Sequence, residues 1–208
     1  MNSLSDLFHQ DVPNEFIARV FLTMLTATQH VFQMLTKRPA RMLDLLEKPS
    51  LTFPLSMIMG DTLPNVWLGV SVEDQKTADE RIPLLLQTPA AVRFVSYEPA
   101  LGPIEVKPYL QYATCDACGG RFSVKANRCP SCGDRHKLSY SRGGVDWLIC
   151  GGESGPGPRP MHPDWARPVR DQCVKAGVPF FLKQWGEYAP CERWDYELTG
   201  FELDERTC

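Results

Sequence analysis

The chain has 208 residues, 43% of them hydrophobic and 10% aromatic, which is enough to bury one main core and carry a small insert. A formal net charge of −3 does not mark the whole chain as a nucleic-acid or membrane binder. No apolar run approaches the ~18 residues of a spanning helix, and Met1–Gln10 has no signal-peptide pattern, so a cytoplasmic location is expected. Eight cysteines in that compartment favour metal binding or free thiols over disulfides.

Met1–Phe8 reads as the end of a strand. Pro13–Thr28 carries Phe16, Val20, Phe21, Met24 and Leu25 at helical spacing, with Pro13 suited to a first turn. His30–Leu35 is predicted as a strand and Arg41–Glu47 as a short helix burying Met42, Leu45 and Leu46. Pro49–Pro64 reads as loop, and Asn65–Val70 as a strand. Glu73–Gln87 has a helical stripe of Ala78, Ile82, Leu85 and Leu86, interrupted by Pro83. Val92–Tyr97, Val145–Cys150 and Val178–Leu182 are predicted strands. A helix near Trp165–Ala176 precedes the last of them, with Gly177 placed to end it.

Strands alternating with helices imply an α/β fold with a parallel sheet. Six strands, the first incomplete, do not close an eight-stranded barrel. The expectation is either an open sheet or a partial parallel β/α barrel. Each apolar run ends in polar residues, and in a barrel the strand C-termini converge on one mouth. Lys37, Arg38, Lys183, Glu73, Glu98 and Glu153 would meet there, beside Gly151, Gly152 and Gln184. Lys37 and Arg38 can grip a carboxylate or phosphate, and the two glycines let backbone approach a ligand. The alternative is a buried ion network that orders the site, with Lys183 against Glu98 or Glu153. Trp185 reads as a packing residue. His30 and His162 lack neighbours that would complete a metal set.

Residues 109–144 break the rhythm. They hold Cys115-Asp-Ala-Cys118-Gly119 and Cys129-Pro-Ser-Cys132-Gly133. Two such knuckles suit a tetrahedral site of four thiolates, each glycine permitting the turn that aims amides at sulfur. Zinc is expected, iron being the chemical alternative. Four thiolates leave no open position for water, so the zinc is read as structural, stabilising a small zinc-ribbon-like insert. From Cys115 to Arg142 six Lys or Arg residues face only Asp116 and Asp134, a charge of +4. Such a basic ribbon either touches nucleic acid or is a solvated surface. Cys150 and Cys173 read as core residues, and Cys191 and Cys208 have no partner pattern. The expected division is 1–108 and 145–188 as two parts of the barrel, 109–144 as the insert, and 189–208 as a tail.

Five strings carry a family resemblance. They are Leu35-Thr-Lys-Arg-Pro39, Leu68-Gly-Val-Ser-Val-Glu73, Ser96-Tyr-Glu-Pro99 with Leu101-Gly-Pro103, Gly151-Gly-Glu-Ser-Gly155, and Phe180-Phe-Leu-Lys-Gln-Trp-Gly186. In this order they resemble the uncharacterised bacteriophage and prophage family named after gene products thirty-seven and sixty-eight, over Met1–Tyr188 apart from the cysteine insert. That family looks like a radical-SAM-type β/α barrel, in which three cysteines hold a 4Fe–4S cluster that cleaves S-adenosylmethionine to a radical. The resemblance implies that Glu73 and Glu98 hold the ribose hydroxyls and methionine part of S-adenosylmethionine. The cluster cysteines of the family's first strand are absent here, and the later quartet has the wrong spacing to replace them. A late start codon, a decayed prophage gene or a branch without the chemistry would each explain this; truncation is the favoured reading.

Two functions follow. One is a radical-SAM-like phage protein whose cluster half is missing from this chain, so that cluster and S-adenosylmethionine belong to a full-length parent. The other is a non-enzymatic zinc-ribbon module binding nucleic acid or a phage protein. No membrane partner is expected. Two open parallel edges would favour self-association.

Overall fold

The computed structural model describes residues 5–47, 62–110, 113–115, 121–122, 132, 138–140 and 144–188. Its main body is α/β. In chain order it contains α1 (Asn14–Thr26), β1 (Phe32–Thr36), α2 (Pro39–Glu47), β2 (Val66–Val72), α3 (Gln75–Gln87) and β3 (Val92–Tyr97). Then come a 3-10 turn (Lys107–Tyr109), three short strands β4 (Ala113–Cys115), β5 (Arg121–Phe122) and β6 (Leu138–Tyr140), and finally β7 (Trp147–Gly151), α4 (Pro163–Ala176) and β8 (Phe180–Gln184). Strands β1, β2, β3, β7 and β8 form one sheet in that order, and every pairing is parallel. The short strands form a separate antiparallel sheet ordered β5-β4-β6.

Local chemistry accounts for the helix ends. Asp74 caps α3 by accepting the Thr77 amide, and Thr77 Oγ1 accepts the Asp74 amide in return, a reciprocal capping box. His162 Nδ1 accepts the Asp164 amide at the start of α4, with Pro163 in the first turn. Gly177 ends that helix at φ 71°, a left-handed conformation that glycine adopts without a steric penalty. Of the strand end expected over Met1–Phe8, residues 1–4 lie outside the described residues, and Ser5–Phe8 is corrected: it runs into a turn, where Asp6 Oδ1 accepts the Phe8 amide. That side-chain bond offers the backbone an alternative to a sheet ladder. Most of the expected 49–64 loop, the cysteines Cys118 and Cys129, and the 189–208 tail lie outside the described residues.

One face of the sheet makes the core. Val66, Leu68, Val70 and Val72 of β2 alternate along the strand. They join Val95, Tyr97, Leu148 and Cys150 from neighbouring strands and Ile17, Phe21, Met42, Ile82, Leu85, Val169 and Cys173 from the four helices. The other residue of each pair points to the opposite face. That face carries Leu35, Trp67, Gly69, Ser71, Phe94, Ser96, Trp147, Ile149, Phe181 and Lys183, brought level by the register. Leu35 is 43% and Phe181 51% exposed there. No described helix is long and apolar enough to cross a membrane.

Candidate functional site

The face opposite the helices is layered. At its base, Trp67 and Trp147 meet edge to face at 5.9 Å, and Phe94 lies 5.8 Å from Trp147. A Cβ at Gly69 would meet the Phe94 ring at 2.5 Å, so the absent side chain leaves room for the ring to lie across β2. One step toward the strand C-termini stand two small residues, Ser71 and Ser96, paired in register. A further step brings the charged residues. A cavity of about 800 Å³ opens at the serine and charged layers, lined among others by Ser71, Ser96, Lys37, Arg38, Glu98 and Lys183.

The charged residues are mutually paired. Lys37 Nζ lies 2.6 Å from Glu73 Oε1, and Arg81 Nη1 lies 2.9 Å from Glu73 Oε2. The Lys37 approach is an ion contact only; Glu73 Oε1 is buried and receives no aligned hydrogen bond. Lys183 Nζ donates to Glu98 Oε1 at 2.8 Å, and Gln184 Nε2 adds a longer bond of 3.4 Å. Of the two partners considered for Lys183, Glu98 is therefore the one it meets. Arg38 Nη1 donates to Asp6 Oδ2 at 3.0 Å. Asp6 also accepts from Thr36 Oγ1 and the Lys37 amide, which fixes the turn after β1. Burial pushes the Asp6 carboxyl up. The bonds from Thr36, Lys37, Phe8 and Arg38 outweigh it and hold the group below its ordinary value of 3.8.

Glu153 stands apart from Lys183. It accepts Arg159 Nε and Nη2 at 2.8 Å and the Arg159 amide at 2.9 Å. The Arg159 side chain and then its amide hold the Glu153 carboxyl at about 2. The two glycines before it serve close contacts within the fold. A Cβ at Gly152 would collide with the Trp185 carbonyl oxygen, and one at Gly151 would sit 3.2 Å from the Glu98 carboxylate. The Gly152 amide donates to the Gln184 carbonyl at 3.0 Å, and Trp185 packs on the core as expected.

Lys37, Arg38, Glu73, Glu98, Lys183 and Gln184 thus gather at the ends of β1, β2, β3 and β8, as the strand-end reading anticipated. Asp6, Arg81 and Arg159 are participants that reading missed. Arg81 had a signal: it falls on the same helical stripe as Ala78, Ile82 and Leu85, where a cation needs a partner. Asp6 had none, because Thr36 is 30 residues away in sequence.

Cys115 ends β4 and Cys132 is exposed in a turn. Among the described residues no group of three His, Cys, Asp or Glu side chains is placed to hold a metal. Cys150 and Cys173 are both fully buried on the helix side of the sheet, and burial pushes each thiol up to about 12. They face away from the cavity, as core residues.

A family model described as a protein of unknown function (DUF5131) matches residues 1–208. No curated protein and no solved structure matches the chain.

Proposed function

Because the chain belongs to this family of unknown function, we propose its role from geometry: a β/α-barrel-type protein whose strand-end pocket binds a small polar ligand. S-adenosylmethionine is the ligand that the radical-SAM and phage-family resemblance implies. The strand order supports the barrel reading. Doubly wound open sheets reverse their order at a switch point and carry helices on both faces. Here the order runs straight and the described helices pack on one face, as along an arc of a barrel.

The observation that carries the pocket is the meeting of charged side chains from the ends of β1, β3 and β8 around one cavity, with the small residues Ser71 and Ser96 also in its wall. Glu73 and Glu98 supply acceptors for hydroxyl or ammonium groups, and Lys37, Arg38 and Lys183 supply donors for anionic ones. Gln184 adds an uncharged donor beside Glu98. Gly151 leaves room for the Glu98 carboxylate, Gly152 brings the β7 and β8 ends together, and Glu153 with Arg159 closes the loop behind them.

A radical-SAM cluster needs three thiolates facing the ligand. Cys150 and Cys173 do not fit, since both are buried on the opposite side of the sheet and burial pushes their thiols up to about 12. No cluster chemistry is assigned to them. The pocket reading is tested by calorimetric titration of the full chain with S-adenosylmethionine. Saturable binding, weakened at least about tenfold by Glu98→Gln, is expected from loss of a charge-assisted bond. No binding at millimolar ligand would remove the proposal.

The quartet Cys115, Cys118, Cys129 and Cys132 is proposed to hold one structural zinc. The spacing supports this, as does the small antiparallel sheet whose strands bracket both knuckles in sequence. Metal analysis should find about one zinc per chain, lost in Cys129→Ser. A second reading, nucleic-acid binding by this insert, is favoured by its surplus of positive charge. Zinc-dependent binding that weakens steeply with salt would support it.

A further inference from the structure

We propose that Lys37 is a movable anion anchor, and that the pocket's ligand carries a carboxylate or phosphate that takes Lys37 from Glu73. This rests on the pocket being a ligand site, and it names the chemistry that site selects. Two cations serve one carboxylate at Glu73, and they are not equivalent. Arg81 is 19% exposed and fixed twice, to Glu73 Oε2 at 2.9 Å and to the Ser71 carbonyl at 2.6 Å. Lys37 is 53% exposed, and among the described residues its ammonium group pairs with Glu73 Oε1 alone, without an aligned hydrogen bond.

If Lys37 swings into the cavity, Glu73 therefore remains neutralised by Arg81 from behind. A lysine paired to its sole carboxylate partner could leave only at the cost of an uncompensated buried charge. The remaining walls agree in sign. Arg38 is matched by Asp6 and Lys183 by Glu98, so the departing Lys37 gives the cavity one unmatched positive charge. That charge lies in a concave site on a chain of net charge −3. A ligand oxyanion is its natural complement.

The arrangement predicts opposite effects from neighbouring substitutions. Glu73→Gln frees Lys37 in advance and should tighten anion binding by about three- to tenfold; Lys37→Met should weaken it by about tenfold or more. Arg81→Met leaves the cavity wall intact yet ties Lys37 to Glu73, and should also weaken binding. The measurement is nuclear magnetic resonance of the reductively methylated full chain, titrated with inorganic phosphate and separately with acetate. A saturable shift of the Lys37 methyl resonance, identified by its loss in Lys37→Met, is expected. The stronger of the two anions distinguishes a phosphoryl from a carboxyl ligand. Circular dichroism verifies that each variant is folded; Lys37→Met, at an exposed position, keeps the test alive should Glu73→Gln not fold.

Saturable anion binding that survives Lys37→Met would overturn the anchor and leave the pocket reading standing. Absence of saturable binding by either anion would also overturn the anchor. The pocket reading itself fails only if S-adenosylmethionine does not bind.

Discussion

Asp6 collects donors from the chain on both sides of β1: the Phe8 amide, the Thr36 hydroxyl, the Lys37 amide and the Arg38 guanidinium. Its carboxyl is held below 3.8 in the fold. A group depressed in this way contributes stability that is present above its unfolded value and lost as pH falls through the folded value. Asp6→Asn should therefore cost about 1–2 kcal/mol at neutral pH. The difference from wild type should shrink below about pH 4, as measured by urea denaturation across pH. A pH-independent difference would mean that shape, not charge, is what Asp6 supplies. Residue-scale chemistry of this kind was only half legible in the sequence. Lys37, Arg38, Glu73, Glu98 and Lys183 stood out because each follows an apolar run. Asp6 did not, because what makes it useful is the approach of a segment distant along the chain.

At the scale of elements, amphipathic stripes and strand runs were readable because one side of each is buried. The run Val92–Tyr97 in β3 appears where periodicity puts it, and of the expected α1 stripe Phe21 and Met24 are buried, whereas Phe16 is 47% exposed and Ile17 takes the buried place. Boundaries shifted where side-chain chemistry competes with periodicity. Strand β2 continues to Val72 before the capping box starts α3 at Gln75, two residues beyond the expected helix start at Glu73. The ends of β7 and β8 depend on a backbone crossing that no periodicity encodes. Gly152 and Gly186 pass the opposing chain so closely that a Cβ on either meets backbone atoms. Backbone cannot yield as a flexible side chain can. Gly152→Ala should therefore destabilise the protein by about 3 kcal/mol or more. Gly155→Ala, in open space at φ 100°, should cost only the strain of its conformation, about 1 kcal/mol. Thermal unfolding of the two variants should rank them clearly; equal melting temperatures would argue against the tight crossing.

At the scale of the whole molecule, the sheet ends in β1 on one side and β8 on the other. Among the described residues neither outer edge is paired with another strand. Unpaired parallel edges are templates for association, and exposed Leu35 and Phe181 lie on these two strands. Self-association is the expected behaviour, and light scattering during size-exclusion chromatography should show a mass above 23.5 kDa. A monodisperse monomer would mean that the edges are protected. The order of the strands along the sheet follows their order in the chain, each pairing with its sequence neighbour in the main body. Whether a parallel sheet closes into a barrel is not readable from pattern, because closure depends on strand number and shear rather than on any local signal.

Leu110 and Val145, on either side of residues 111–144, meet at one place in the main body. Leu110 bridges Val145, the Val145 amide donates to the Tyr109 carbonyl at 2.9 Å, and β3 pairs directly with β7 on the far side of the excursion. The two flanks of residues 111–144 are therefore held together by one clasp. Such a graft point lets a lineage gain, lose or exchange the intervening segment without re-registering a strand. A short turn spliced between positions 110 and 145 should give a viable minimal version of the protein.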